Sequence, residues 1–366
     1  MLRISEYMRD ALEEKPIRRA DIAILIWNLT NICNLFCEHC YANAHTQKET
    51  ELSLEEIDAI LPHLWRQGIR FIIVSGGEPL VRKDIFAIAE RMKQQGFKTY
   101  LSSNGLLINE DNLPAIQEHF DYVGISIDGR PEVHDRFRMK KGAFERSLKA
   151  LEMCHAAGIR VGMRYTLTTS TLDSLPFVLD LVEQKGFPKL YISHLVYAGR
   201  AQASLDLSHE AYLGAMETIL ARAFDWLERG TPSDLVTGNN EADARLLLDA
   251  FSVRYPRYRE HLEQRLLAWG GNQSGARLVN INHRGDVKPD PFFPVSLGNL
   301  REYDFSQIWE GLPEQQPLLQ SLRAHPRPVH GKCADCSSLL FCNGNSRARA
   351  KALYDDFFAE DPSCAL

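Results

Sequence analysis

The feature that most restricts the fold is an alternation. Six times between residues 21 and 229, a short apolar run is followed by a longer stretch whose apolar positions recur at helical spacing. The short runs lie at 21–29, 70–75, 98–102, 122–127, 160–167 and 189–195. The second is apolar on both faces, as a strand buried in a parallel sheet is. The helical stretches follow at 53–68, 83–95, 109–119, 143–157, 174–185 and 210–229, the first opened by the capping box Ser53-Leu54-Glu55-Glu56. Such repeated strand–helix units predict an α/β fold, specifically a partial (β/α)6 TIM-like barrel with a small C-terminal subdomain. Right-handed crossovers bring every strand's C-terminal end to one face, where such barrels place their chemistry.

Chemically able residues gather at those ends. After the first strand comes Cys33-Asn34-Leu35-Phe36-Cys37-Glu38-His39-Cys40-Tyr41. Three thiolates on one tight loop suit an iron–sulfur cluster, and three ligands leave one iron of a four-iron cube open to a small molecule. Zinc is the alternative, with His39 or His45 as a fourth ligand. After the second strand comes Gly76-Gly77-Glu78-Pro79, whose glycines let backbone approach a ligand closely and whose glutamate offers an acceptor. Ser102-Ser103-Asn104-Gly105, Ser126-Ile127-Asp128-Gly129, Arg164 and His194 stand at or near the ends of the later strands.

Past residue 230 the pattern changes. A loop at 237–240 precedes helical stretches at 241–255 and 257–268, then two short strands, 277–281 and 286–288, around a turn. From about residue 331 a second cysteine group appears: Cys333, Cys336, Cys342 and, after a gap, Cys364. Four thiolates can fill every iron of a second cluster, and they also satisfy zinc. Cys154 stands alone in a helical pattern and reads as core. A chain of 366 residues allows one large domain and a smaller extension. The expected divisions are a flanking segment at 1–20, with Ile4, Met8 and Leu12 at helical spacing, a barrel at 21–230 and an extension at 231–366. Apolar residues make up 45% and the net charge is −6, so no basic excess points to nucleic acid. No apolar stretch is long enough for a membrane span, and no leader pattern opens the chain, so a cytoplasmic protein is expected.

The Cys-x3-Cys-x2-Cys loop resembles that of the radical S-adenosylmethionine (SAM) enzymes. The resemblance implies that Cys33, Cys37 and Cys40 hold a [4Fe-4S] cluster whose open iron binds SAM. It implies SAM contacts from His39, Tyr41, Gly76, Gly77, Glu78, Ser103, Asn104, Ser126, Asp128 and Arg164, the last as a partner of the SAM carboxylate. His39 departs from the aromatic residue the superfamily usually carries there. The C-terminal cysteines resemble the SPASM and twitch extensions, with Pro289-Asp290 and Ser346 where a full extension has further cysteines. One auxiliary [4Fe-4S] cluster on Cys333, Cys336, Cys342 and Cys364 is therefore expected.

Longer stretches resemble the radical SAM proteins of heme d1 biosynthesis, the NirJ family. They include residues 26–30, 134–138, 193–200, 236–240, 269–272, 342–347 and 361–366. That family implies an iron tetrapyrrole of the didecarboxysiroheme type, losing propionate side chains, and an external electron donor such as ferredoxin or flavodoxin. A wide, carboxylate-rich substrate needs cations at its rim. Arg136, Arg138, His194, Arg200 and Arg347 are the candidates. The alternatives are a siroheme-pathway heme synthase, a SPASM-type peptide maturase, and an electron-transfer protein without SAM chemistry.

Overall fold

The structure, a computed structural model, describes residues 1–17, 23–47 and 49–366. The first two residues of the expected first strand, and the expected boundary at 20/21, lie outside the described residues. The strands are β1 (Ala23–Thr30), β2 (Ile69–Gly76), β3 (Lys98–Ser103), β4 (Tyr122–Ser126), β5 (Val161–Leu167), β6 (Lys189–His194), β7 (Asp234–Gly238), β8 (Leu278–Ile281), β9 (Asp286–Lys288) and β10 (Gly298–Asn299).

β1 to β6 pair in parallel with their sequence neighbours, and a helix returns the chain after each. This is the α/β partial barrel the alternation predicts. Side chains alternate along its strands: Leu25, Trp27 and Leu29 are buried in the layer between strand and helices. The opposite residues, such as Tyr100, Tyr122, Arg164 and Tyr191, are half-buried. The capping box of Ser53 and Glu56 forms as expected and opens the helix Leu54–Arg66.

The sheet does not stop at residue 230. β7 adds to β6 in parallel, and β8 pairs in parallel with β1 while forming an antiparallel hairpin with β9. Part of the expected loop at 237–240 is thus the end of a strand. The N-terminal segment covers the other edge of β7: Leu2 exchanges backbone hydrogen bonds with Thr237 (2.7 and 2.9 Å), and the helix Ile4–Leu12 buries Ile4 and Met8. A short helix, Pro131–Phe137, follows β4 and carries His134 and Arg136. Among the described residues no helix is long and apolar enough to cross a membrane.

Candidate active site

The cysteine loop leaves β1 at the C-terminal face and is clasped from three sides. From β2, the Gly77 and Glu78 N–H groups donate to the Thr30 and Ile32 carbonyls at 2.8 and 2.9 Å. A Cβ on Gly76 would lie 2.3 Å from the Thr30 oxygen, and one on Gly77 2.1 Å from the Ile32 oxygen. The two glycines are therefore needed where β2 crosses the root of the loop, a closer constraint than ligand access. From the β6 end, the Arg200 N–H donates to the Cys40 carbonyl at 3.0 Å, and a Cβ on Gly199 would meet that oxygen at 2.3 Å. The Arg200 guanidinium lies 3.9 Å over the Phe36 ring and donates to the Cys37 and Ala44 carbonyls at 2.9 and 2.8 Å. From β3, Asn104 donates to Asn34 Oδ1 at 2.7 Å, with the same nitrogen 4.0 Å from Cys33 Sγ.

Each sulfur of the loop has an N–H donor aimed at it. Leu35 N–H points at Cys33 (3.4 Å), Ala44 N–H at Cys40 (3.4 Å) and Arg138 Nη1 at Cys37 (3.6 Å). Arg138 is buried and held by Asp128, its Nε 2.6 Å from Oδ2. Asp128 is fully buried. Burial opposes its charge, but the Arg138 guanidinium, the strongest of the opposing influences, helps hold its pKa below the usual value. Its Oδ1 also accepts the Thr166 N–H at 2.8 Å, and its own N–H donates to His134 Nδ1 at 3.0 Å. Burial, then Arg138, push His134 down to about 4, so its ring is neutral. His39 stacks on Phe137 with centroids 4.3 Å apart, and burial pushes it down to about 3.

Glu78 is fully buried beside the loop. Its Oε1 accepts from Ser103 Oγ (2.9 Å) and Leu80 N–H (3.2 Å), its Oε2 from Asn104 N–H (2.8 Å), and burial lifts it to about 6. Tyr41 bonds Asn28 Oδ1 at 3.1 Å and Ser75 Oγ at 3.2 Å. Ser126 and Arg164 are register partners on β4 and β5. Arg164 bonds Ser102 Oγ, packs over the Tyr191 ring, and passes Gly124, where a Cβ would stand 3.0 Å from its Cδ.

Thus the cysteine loop, Gly76 to Glu78, Ser103, Asn104, Tyr41 and the Asp128–Arg138 pair form one connected group. The residues expected at a substrate rim are placed differently. Arg138 and Arg200 belong to the loop itself. His194 is buried and bonds Asp243 Oδ2 at 2.9 Å, and Tyr212 donates to the other Asp243 oxygen at 2.8 Å. Arg347 is buried among the carbonyls of Gly344, Phe357 and Ala359. Arg136 alone of the five is exposed. Asp243 and Tyr212 went unread because no local pattern ties a helix residue to a strand end 49 positions away.

The second cysteine group is closed in by its own network. Cys333, Cys342 and Cys364 are buried and Cys336 half-buried. Asp361 is fully buried, paired with Arg349 at 2.9 Å, and accepts the N–H groups of Ser346 and Ser363. Arg349 Nη1 reaches the Leu195 carbonyl beyond β6 at 2.7 Å, which ties this group to the barrel.

A profile of the radical SAM superfamily matches residues 27–182, and one of an iron–sulfur cluster-binding domain, SPASM, matches residues 274–337. Pre-heme d1 synthase of Dinoroseobacter shibae is 40% identical over all of this chain and 92% of its own length. The chain belongs to the radical SAM superfamily, in the heme-synthesis family of pre-heme d1 synthase. Fe-coproporphyrin III synthase of Methanosarcina barkeri is 37% identical over 99% of this chain and 90% of its own. AdoMet-dependent heme synthase of Oleidesulfovibrio alaskensis is 30% identical over 93% and 86%. Among solved structures, native anSMEcpe with bound AdoMet superposes with a TM-score of 0.73 over 94% of each chain at 18% identity. Streptococcus suis SuiB bound to S-adenosylmethionine gives 0.72 over 94% of this chain and 77% of that one at 15% identity. At these identities the likeness is one of fold. The protein is accordingly a radical SAM enzyme of heme-related tetrapyrrole metabolism, with an iron–sulfur extension.

The side chains fit that chemistry. In the loop, all three cysteines are free and each sulfur has a hydrogen-bond donor, as a metal thiolate requires. Burial pushes Cys33 up to about 12 and Cys37 above its ordinary value, with Arg138 opposing the latter shift. In the extension burial likewise raises Cys333 and Cys364, and Cys342 to about 12. Such thiols are neutral until a metal displaces their protons. Among the described residues no three His, Cys, Asp or Glu side chains are drawn close enough to hold a single metal ion.

Proposed function

We propose that the protein acts in heme d1 biosynthesis, removing propionate side chains from an iron tetrapyrrole of the didecarboxysiroheme type. The observation that carries this is the 40% identity to pre-heme d1 synthase over the whole chain. A [4Fe-4S] cluster on Cys33, Cys37 and Cys40 with SAM would supply the 5'-deoxyadenosyl radical that abstracts a side-chain hydrogen. Around it the chain's own residues bind and orient. Asn104 and Arg138 flank the sulfurs, and Glu78 orders the Ser103–Asn104 turn against the loop. His39, Tyr41, Gly76, Gly77, Ser126, Asp128 and Arg164 complete the SAM pocket, with the open donors of Arg164 available to a carboxylate. Cys333, Cys336, Cys342 and Cys364 would hold an auxiliary [4Fe-4S] cluster within an extension spanning 231–366. Of the rim cations Arg136 is free to meet a substrate carboxylate. The other four act through the residues they position. An external one-electron donor and a cytoplasmic setting complete the reading.

A second reading, formation of an iron coproporphyrin from a larger iron tetrapyrrole, is favoured by the 37% identity to Fe-coproporphyrin III synthase, a name that gives that enzyme's product. Anaerobic turnover of reconstituted protein with SAM and dithionite separates them. Deoxyadenosine formation stimulated by didecarboxysiroheme, with mass loss from its propionates, is expected. Release of iron coproporphyrin III as the product, identified by its mass, would replace the first reading with the second.

A further inference from the structure

Two phenylalanines follow Asp290-Pro291, and the fold uses them differently. Phe293 is buried and stacks on Phe357, with centroids 4.9 Å and planes 7° apart, in an apolar group with Val196, Leu322 and Ala348. Phe292 is only half-buried and meets the Tyr41 ring edge-on, at 5.2 Å and 62°. Tyr41 directly follows Cys40, and its hydroxyl is held by Asn28 and Ser75 at the ends of β1 and β2. Phe292, from the extension, therefore stands one ring away from the cysteine loop of the barrel.

The turn that presents it is built for the purpose. Asp290 is buried, and its Oδ1 accepts the N–H groups of both Phe292 (2.8 Å) and Phe293 (3.0 Å), while its Oδ2 accepts from Ser274 Oγ at 2.5 Å. Holding two backbone donors with one carboxylate oxygen fixes the direction in which successive side chains leave the chain. One ring goes into the core and the other stays at the mouth. Packing explains Phe293 fully; Phe292 packs against the edge of the same apolar group and still leaves part of its ring in water beside a polar site.

We infer that Phe292, backed by Tyr41, is the aromatic wall on which the flat macrocycle of the substrate rests while a side chain reaches the reaction centre. The inference rests on the tetrapyrrole reading above. Reacting atoms must come within about 3–3.5 Å, so the macrocycle has to lie close to the cysteine loop. A conjugated ring gains from offset or edge contact with another ring there, beyond the area it buries. The wall also joins the two halves of the chain, so that the extension helps select substrate width.

The test uses full-length, reconstituted protein titrated anaerobically with iron coproporphyrin III and with didecarboxysiroheme, binding being read from the Soret band. Phe292→Leu is expected to weaken whichever tetrapyrrole the wild type binds by about three- to tenfold, with a matching rise in KM. Phe292→Tyr, which keeps the ring, is expected to stay within about twofold. Iron content and thermal midpoint serve as checks that each variant is folded. Wild-type affinity in a folded Phe292→Leu protein, or a tenfold loss in Phe292→Tyr, would overturn the wall while leaving the tetrapyrrole reading standing. A wild type that binds neither tetrapyrrole would overturn both.

Discussion

Each cysteine group is backed by a buried arginine–aspartate pair, and the two pairs differ in what else the arginine touches. At the barrel mouth, Arg138 is held by Asp128 and points a second nitrogen at Cys37 Sγ, 3.6 Å away. In the extension, Arg349 is held by Asp361 and donates its remaining nitrogen to the Leu195 carbonyl. A cation beside a thiolate favours the charged sulfur and tunes whatever metal it holds. A cation strung between a carboxylate and a carbonyl only joins two pieces of chain. The exposures agree: Cys33 and Cys40 are half-buried on a loop open to the mouth, whereas three of the four later cysteines are buried. The first group opens to the mouth and the second is largely enclosed.

The largest effect should come from the reactive group. Cys33→Ala, Cys37→Ala or Cys40→Ala should abolish deoxyadenosine formation. Full activity in any one of them would refute the assignment of the loop. Cys336→Ala should instead lower bound iron by about half, from roughly eight per chain for two four-iron clusters. An unchanged iron count would remove the second cluster from the account. The arginines sharpen the contrast further. Arg138→Met and Arg349→Met each leave a buried carboxylate unpaired, and each should lose about 3–5 kcal/mol in denaturant unfolding. Only the Arg138 variant should change the absorption and EPR of the SAM-binding cluster when that cluster is retained. A matching change in the Arg349 variant would erase the distinction.

A smaller, pH-dependent effect belongs to the mouth alone. His134 accepts the Asp128 N–H and has its pKa lowered from 6.5 to about 4. Below pH 6.5 the unfolded chain takes up a proton that the folded chain refuses. Stability from this group is therefore complete above pH 6.5 and is lost as pH falls to 4, by about 3 kcal/mol. His134→Asn keeps an acceptor for the Asp128 N–H and should flatten the acid limb of the stability profile by about one proton. An unaltered slope would show that the ring titrates normally.

Much of this was legible in the chain itself, because alternation and capping are local. The six strand–helix units, the Ser53–Glu56 box and the β8–β9 hairpin all follow from neighbours in sequence. β7 was hidden because Thr237-Gly238-Asn239-Asn240 has turn composition, and only pairing with β6 and Leu2, both distant, makes it a strand. The cysteine positions were legible and the roles of the arginines were not. Arg138, Arg200 and Arg347 look like surface charges until their partners, 10 to 163 residues away or among backbone carbonyls, are in place. Glycines 76 and 77 were found, but their close approach to the loop's own backbone at Thr30 and Ile32 was not.

The most direct test of an open and a closed cysteine group is EPR of the reduced, reconstituted protein before and after adding SAM. One of two signals should shift on SAM addition, and it should be the one missing from Cys40→Ala and still present in Cys336→Ala. A SAM-induced shift in the signal that Cys336→Ala removes, or no shift in either, would contradict the account.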